Sequence, residues 1–128
     1  MEQKMNLMLI IDDNVEFRTM VSDYFTDLGF TVEIAGDGRE GLAKAKAIRP
    51  DIILCDVMMP DMGGIEVVRG LQVEDETRNI PVLIITGSFF DKNMSDLFRQ
   101  EANCREFMSK TVELSFLEKK VAAQLTKK

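Results

Sequence analysis

The stretch Leu7-Met8-Leu9-Ile10-Ile11-Asp12-Asp13 decides the reading of this chain, and Asp51-Ile52-Ile53-Leu54-Cys55-Asp56 answers it further along. Each is a nearly unbroken apolar run, the pattern of a strand buried on both faces, and each ends in carboxylates. If the two strands run parallel in one sheet, Asp12, Asp13 and Asp56 gather outside its carboxyl edge, where open α/β folds place their sites. Like charges crowded there repel and lose hydration, so the arrangement suits a site that is exposed, protonated or holding a cation.

Outward from these runs, apolar segments alternate with amphipathic ones. The pattern predicts strands at 7–11, 31–35, 51–55, 81–86 and 105–108, and helices at about 14–28, 38–47, 64–74, 91–101 and 112–126. Phe17, Val21, Tyr24, Phe25 and Leu28 recur at three- and four-residue spacing as one packing face, and Gly29 supplies a stop. Arg49-Pro50 ends the second helix and Asn79-Ile80-Pro81 separates the third from the next strand, because residues before proline are pushed out of helical dihedrals. In the last helix Leu114, Leu117, Val121 and Leu125 form a core stripe that leaves Phe116 outside it. Five βα units with right-handed crossovers predict an α/β fold, a doubly wound five-stranded parallel sheet with helices on both faces. A barrel would need eight such units.

The chain has 128 residues, and no repeat, linker or low-complexity segment divides it, so one domain over 1–128 is expected. The net charge of -6 argues against nucleic acid or an anionic membrane as partner, since a phosphate backbone rewards excess Lys and Arg. Protein or small-ion partners fit better. Cys55 and Cys104 stand in apolar contexts without metal-type spacing and read as reduced thiols. No apolar run approaches the ~20 residues that span a bilayer. The start Met1-Glu2-Gln3-Lys4 has no long hydrophobic segment behind its charges, so a cytoplasmic location is expected.

Two more strand ends add chemistry to the same edge. Pro81-Val82-Leu83-Ile84-Ile85 ends in Thr86-Gly87-Ser88, and Arg105-Glu106-Phe107-Met108 ends in Ser109-Lys110. Carboxylates, a hydroxyl and an ammonium at one edge are able to hold a divalent cation through oxygen ligands and to neutralise a transferred phosphoryl group from the other side. Each residue alone is equally well a solvated loop residue, and the weight lies in four strand ends coinciding.

At this point the chain resembles the receiver domain of two-component response regulators over essentially its whole length, most closely the single-domain chemotaxis type with its flavodoxin-like architecture. Asp12-Asp13 resembles the family's metal-binding acidic pair, Asp56 its phosphoacceptor, Thr86 its switch hydroxyl and Lys110 its conserved lysine. Asp56-Val57-Met58-Met59-Pro60-Asp61-Met62-Gly63-Gly64 is similar to the acceptor loop, and Ala35-Gly36-Asp37-Gly38-Arg39-Glu40-Gly41-Leu42 to the turn into the second helix. Three departures stand out. Thr111 replaces a Pro that is commonly cis, so the Lys110 loop needs a costly cis bond or another path. Gly63 stands where Asp is frequent, and Asn103 where Gly is common, a position Asn tolerates through left-handed dihedrals.

The resemblance implies Mg²⁺ as cofactor, held by Asp12, Asp13, Asp56 and the backbone carbonyl of Met58. It implies phosphoryl transfer from a phosphohistidine to Asp56 with Lys110 and Thr86 in attendance, and slow self-dephosphorylation tuned by Met58 and Ser88. The chain contains no His, so a histidine kinase or histidine phosphotransfer domain must supply the donor. The output implied is a switch in which Thr86 and Phe107 move together, read by a downstream protein target or by a phosphorylation-dependent dimer. Phe89-Phe90 reads either as part of a docking surface or as packing beside the site. Two other classes stay open: a phosphorylation-independent interaction module, favoured by Thr111, and a hydrolase with an Asp nucleophile. The hydrolase is the weaker, because Asp12-Asp13-Asn14-Val15 lacks an Asp-x-Asp spacing.

Overall fold

Strands and helices alternate along residues 6–87 and 92–126, which a computed structural model describes. Ser88, Phe89-Phe90 and Met1-Glu2-Gln3-Lys4 lie outside the described residues. The elements are β1 (Leu7–Ile11), α1 (Val15–Asp27), β2 (Thr31–Ala35), α2 (Gly38–Ile48), β3 (Ile52–Asp56), α3 (Gly64–Leu71), β4 (Val82–Thr86), α4 (Lys92–Arg99), β5 (Cys104–Ser109) and α5 (Leu114–Leu125). All strand pairs are parallel and the sheet order is β2-β1-β3-β4-β5. The winding therefore reverses between β1 and β3. That crevice is the topological switch point, and the strands flanking it are the two that lead into Asp12 and Asp56.

Alternation along each strand divides the apolar side chains between two cores. Leu9, Ile11, Ile53, Cys55, Val82, Ile84 and Phe107 face Ala45 of α2, Val67, Val68 and Leu71 of α3 and Phe98 of α4. Met8, Ile10, Ile52, Leu54, Leu83, Ile85 and Met108 face Val21 and Phe25 of α1 and Leu117 and Val121 of α5. The runs that read as doubly buried strands are doubly buried. Tyr24 ties α1 to α5 by donating its hydroxyl to Glu118 Oε1 at 2.6 Å.

The edge strand β2 is the exception, with Thr31, Glu33 and Ile34 exposed. Lys44 of α2 lies over it, donating to the Ile34 carbonyl at 2.5 Å and pairing with Glu40 at 3.5 Å.

Some boundaries shift for local reasons. β4 begins at Val82 rather than 81, since Pro81 has no N–H to give the ladder. α3 stops at Leu71 instead of 74, where Thr77 donates its hydroxyl to the Leu71 carbonyl at 2.7 Å and holds the following segment in a turn. β5 is longer at both ends than 105–108, and Asp56 belongs to β3 itself. Leu28 is corrected: at the α1 C-cap it is 45% exposed and outside the packing face that Val21 and Phe25 form.

Asn103 is corrected as well. It does not have a positive φ; among the described non-glycine residues only Arg49 and Asp61 do. Its side chain explains it instead. Asn103 is buried, donates to the Val68 carbonyl at 3.0 Å and accepts from Gln72 Nε2 at 2.6 Å, riveting the end of α3 to the entry of β5.

Candidate functional site

The β1–α1 turn is built by its own polar side chains. Asn14 caps α1, accepting from the Phe17 N–H at 2.8 Å, and Asp12 Oδ1 accepts from the Asn14 N–H at 2.8 Å. Arg18, one turn into α1, donates to the Asp12 carbonyl at 3.0 Å. These bonds fix Asp12 pointing across the crevice while Asp13 stays exposed. On the opposite wall, Asp56 Oδ1 accepts from the Val57 N–H at 2.8 Å. α3 then starts directly on this backbone: the Gly64 N–H donates to the Val57 carbonyl at 2.9 Å, and a Cβ at Gly64 would collide with the Asp56 carbonyl. Gly63 gives α3 no side-chain cap, and Glu66 reaches back to its N–H at 3.1 Å instead.

Carboxylate oxygens of Asp12, Asp13 and Asp56 lie within 4.8 Å of one another. Lys110 enters from the β5 side, its ammonium 2.8 Å and 3.1 Å from the two Asp12 oxygens and 3.5 Å from Asp56 Oδ2. Burial raises the Asp56 carboxyl from 3.8 to about 6; the Asp12 charge adds to the rise, Lys110 and the Val57 N–H oppose it, and Asp13 adds a little more. Thr86 is buried at the end of β4 opposite Ser109, and its carbonyl accepts from the Lys110 N–H at 2.8 Å. Phe107 is buried two residues before Ser109, on the same sheet face as Thr86, with its ring 5.5 Å from that of Phe98. The Met58 side chain is exposed on the loop between β3 and α3, and Ser88 lies outside the described residues.

Thr111 takes the other path that its sequence left open. No described peptide bond is cis, and the loop closes through Ser109, whose hydroxyl oxygen accepts from the Thr111 N–H at 3.1 Å and whose carbonyl accepts from the Val112 N–H at 3.2 Å. Sequence reasoning missed two neighbours of the site. Phe17, read as a packing residue, lies under the Lys110 ammonium with 4.7 Å between Nζ and the ring centre. Arg18 has a buried Nε without a hydrogen-bond partner beside its bond to Asp12. Neither cysteine takes part: Cys55 is buried and its thiol pushed well up, and that of Cys104 is pushed to about 11, so both are neutral at physiological pH.

The residues fit a hard divalent cation. Asp12 Oδ2 is buried with no hydrogen-bond donor aligned on it, and its partner is the Lys110 ammonium, 2.8 Å away as an ion pair. An all-oxygen donor set with one exposed carboxylate is the chemistry of Mg²⁺, which keeps several waters.

Comparison with known proteins gives the family and the fold. Residues 8–122 match the family model described as response regulator receiver domain. The chain is 33% identical to the polar-differentiation response regulator DivK of Brucella anthropi over 81% of its own length and 83% of that protein. It is 31% identical to hybrid signal transduction histidine kinase D of Dictyostelium discoideum over 88% of its own length but only 8% of that protein, so it spans a small part of that relative. Among solved structures, it superposes on the chemotaxis response regulator CheY4 of Vibrio cholerae with a TM-score of 0.87 and 32% identity, covering 95% of this chain and 100% of that one.

Proposed function

Starting from the fact that this chain belongs to the response regulator receiver family, we propose that it takes a phosphoryl group onto Asp56 and passes the signal on to a protein partner. The observation that carries the reading is the meeting of three carboxylates within 4.8 Å with a lysine ammonium 3.5 Å from Asp56. At about 6, the Asp56 carboxyl is mostly ionised at pH 7, so the nucleophile is ready without a separate base. An Asp56 oxygen forms a bond to phosphorus as the N–P bond of a phosphohistidine breaks, and the leaving imidazole takes up a proton. Lys110 stabilises charge on the transferring oxygens. Asp12, Asp13, Asp56 and the Met58 carbonyl would hold Mg²⁺, which would supply further charge neutralisation there.

The donor is a histidine kinase or histidine phosphotransfer domain acting in trans, since the chain has no His. Thr86 and Phe107, neighbours on one sheet face, carry the change to the α4–β5 side, where a downstream protein or a second phosphorylated copy reads it. This reading takes 1–128 as a single domain working in the cytoplasm, where Cys55 and Cys104 would stay free thiols. The phosphorylation-independent alternative drew on Thr111, and the closed Ser109 turn removes most of that support.

Intact mass after incubation with acetyl phosphate tests the reading. With Mg²⁺ the protein should gain about 80 Da, as one acid-stable, base-labile acyl phosphate. Without Mg²⁺ or in Asp56→Asn the gain should vanish, and an undiminished gain in that variant would overturn the assignment.

A further inference from the structure

Nothing covalent aims Lys110. Thr111 leaves the backbone free where a proline would lock it, and the bonds that close the loop, Lys110 N–H to the Thr86 carbonyl and Thr111 N–H to Ser109 Oγ, do not reach the Lys110 side chain. The four-carbon stem beyond them needs its own walls. One is Gly87, where an added Cβ would stand 3.2 Å from Lys110 Cδ, so the stem lies directly on the backbone of β4's exit. The other is the Phe17 ring, 4.7 Å from Nζ. Phe17 is itself fixed, because its N–H is the one that the α1 cap Asn14 holds at 2.8 Å, immediately after Asp12-Asp13.

We propose that Phe17 is a positioning residue for Lys110, its π face holding the ammonium at the mouth of the acidic pocket. The inference rests on the phosphoryl-transfer reading and adds a part to it. An ion pair with Asp12 is the stronger attraction, yet it spends the charge on a carboxylate that the cation also needs. The ring attracts the ammonium through its quadrupole and occupies none of the oxygens, leaving N–H donors free to turn to a phosphoryl group. Phe17 is half-buried against the α1–α5 core, so its ring has little freedom to leave.

The test compares Phe17→Leu, which keeps apolar volume without the π face, with Phe17→Tyr, which keeps the face. Phosphorylation of Asp56 from acetyl phosphate at saturating Mg²⁺ should slow by about three- to tenfold in the Leu variant and stay within about twofold in the Tyr variant. In a Lys110→Ala background the Leu substitution should change the residual rate by less than about twofold, because its effect runs through the lysine. NMR of the unphosphorylated proteins gives a second reading: the Lys110 ε-methylene protons should lose their ring-current shift in Phe17→Leu and keep it in Phe17→Tyr. Phe17→Met supplies the same comparison should the Leu variant melt below the assay temperature. Parent rates with unmoved Lys110 lines in the Leu variant, or an equal loss in the Lys110→Ala background, overturn the proposal. A parent protein that takes no phosphate refutes the proposed function instead, and the Lys110 lines still decide the placement of Phe17.

Discussion

Asp56→Asn should stabilise the protein at neutral pH in the presence of a chelator. The Asp56 carboxyl is raised from 3.8 to about 6, chiefly by burial and then by Asp12, so the folded state holds the proton more tightly than the unfolded state does. Between those two values the native form binds more protons, and stability falls as pH rises through the window. At about 1.4 kcal/mol for each tenfold change in proton affinity, the ionised carboxylate costs the folded protein about 3 kcal/mol above pH 7. Asparagine keeps an acceptor for the Val57 N–H and removes the charge beside Asp12. The variant should therefore gain up to about 3 kcal/mol at pH 7.5, roughly 10 °C in Tm for a domain of this size, shrinking to about 1 kcal/mol at pH 4.5. Urea melts followed by circular dichroism suit a chain without tryptophan. A constant offset between the two proteins across that pH range would refute the reasoning, because burial and the Asp12 charge would then not be felt at Asp56.

Asp13→Asn should raise the Mg²⁺ concentration needed for phosphorylation at least about tenfold, since it removes one of three carboxylates from a site that otherwise binds through water; an unchanged metal titration would put the cation elsewhere. Thr86→Ala should still accept phosphate but transmit less, because a single neutral hydrogen bond of about 1 kcal/mol biases a balanced equilibrium without carrying catalysis; the check is whether NMR shifts at Phe107 on phosphorylation shrink. Asn103→Ala should cost about 2 kcal/mol by taking the buried donor from the Val68 carbonyl and one of the two acceptors from the Gln72 amide, which keeps Glu101, read as a lower urea midpoint with phosphorylation intact.

The fold was legible because its information is periodic. β1 and β2 begin and end where the pattern placed strands, at 7–11 and 31–35, and the apolar runs at 7–11 and 51–55 announced a parallel sheet with helices on both faces, β3 itself lying one residue later at Ile52–Asp56. The site was legible for a related reason: in such a sheet every strand exits on one edge, so Asp12, Asp56, Thr86 and Lys110 had to converge once the strands were placed. What stayed hidden depends on side-chain direction and on long-range partners. Asn103 looked like a residue chosen for its backbone, whereas its amide spans α3 and β5, thirty-five positions from Val68. Phe17 fits the helical period of the α1 core, and nothing in that period says that its ring also meets an ammonium arriving from the other end of the chain. Thr111 looked like a weakness because the compensating hydroxyl of Ser109 is an ordinary residue in sequence.

The Lys44 contact on β2 bears on how this protein keeps its own company. An open parallel sheet offers two unpaired ladders, and each is a template on which a stray strand is able to polymerise. At the β2 margin the Ile34 carbonyl already has its donor, and any newcomer would have to strip water from an ammonium to displace it. At the β5 margin exposed Arg105 and the Glu106–Lys120 pair, 3.6 Å apart, present charge of both signs. With both margins guarded, the helical faces and the loops of the carboxyl edge are what the fold leaves open to another protein, surfaces on which a contact forms and releases without rewriting the sheet.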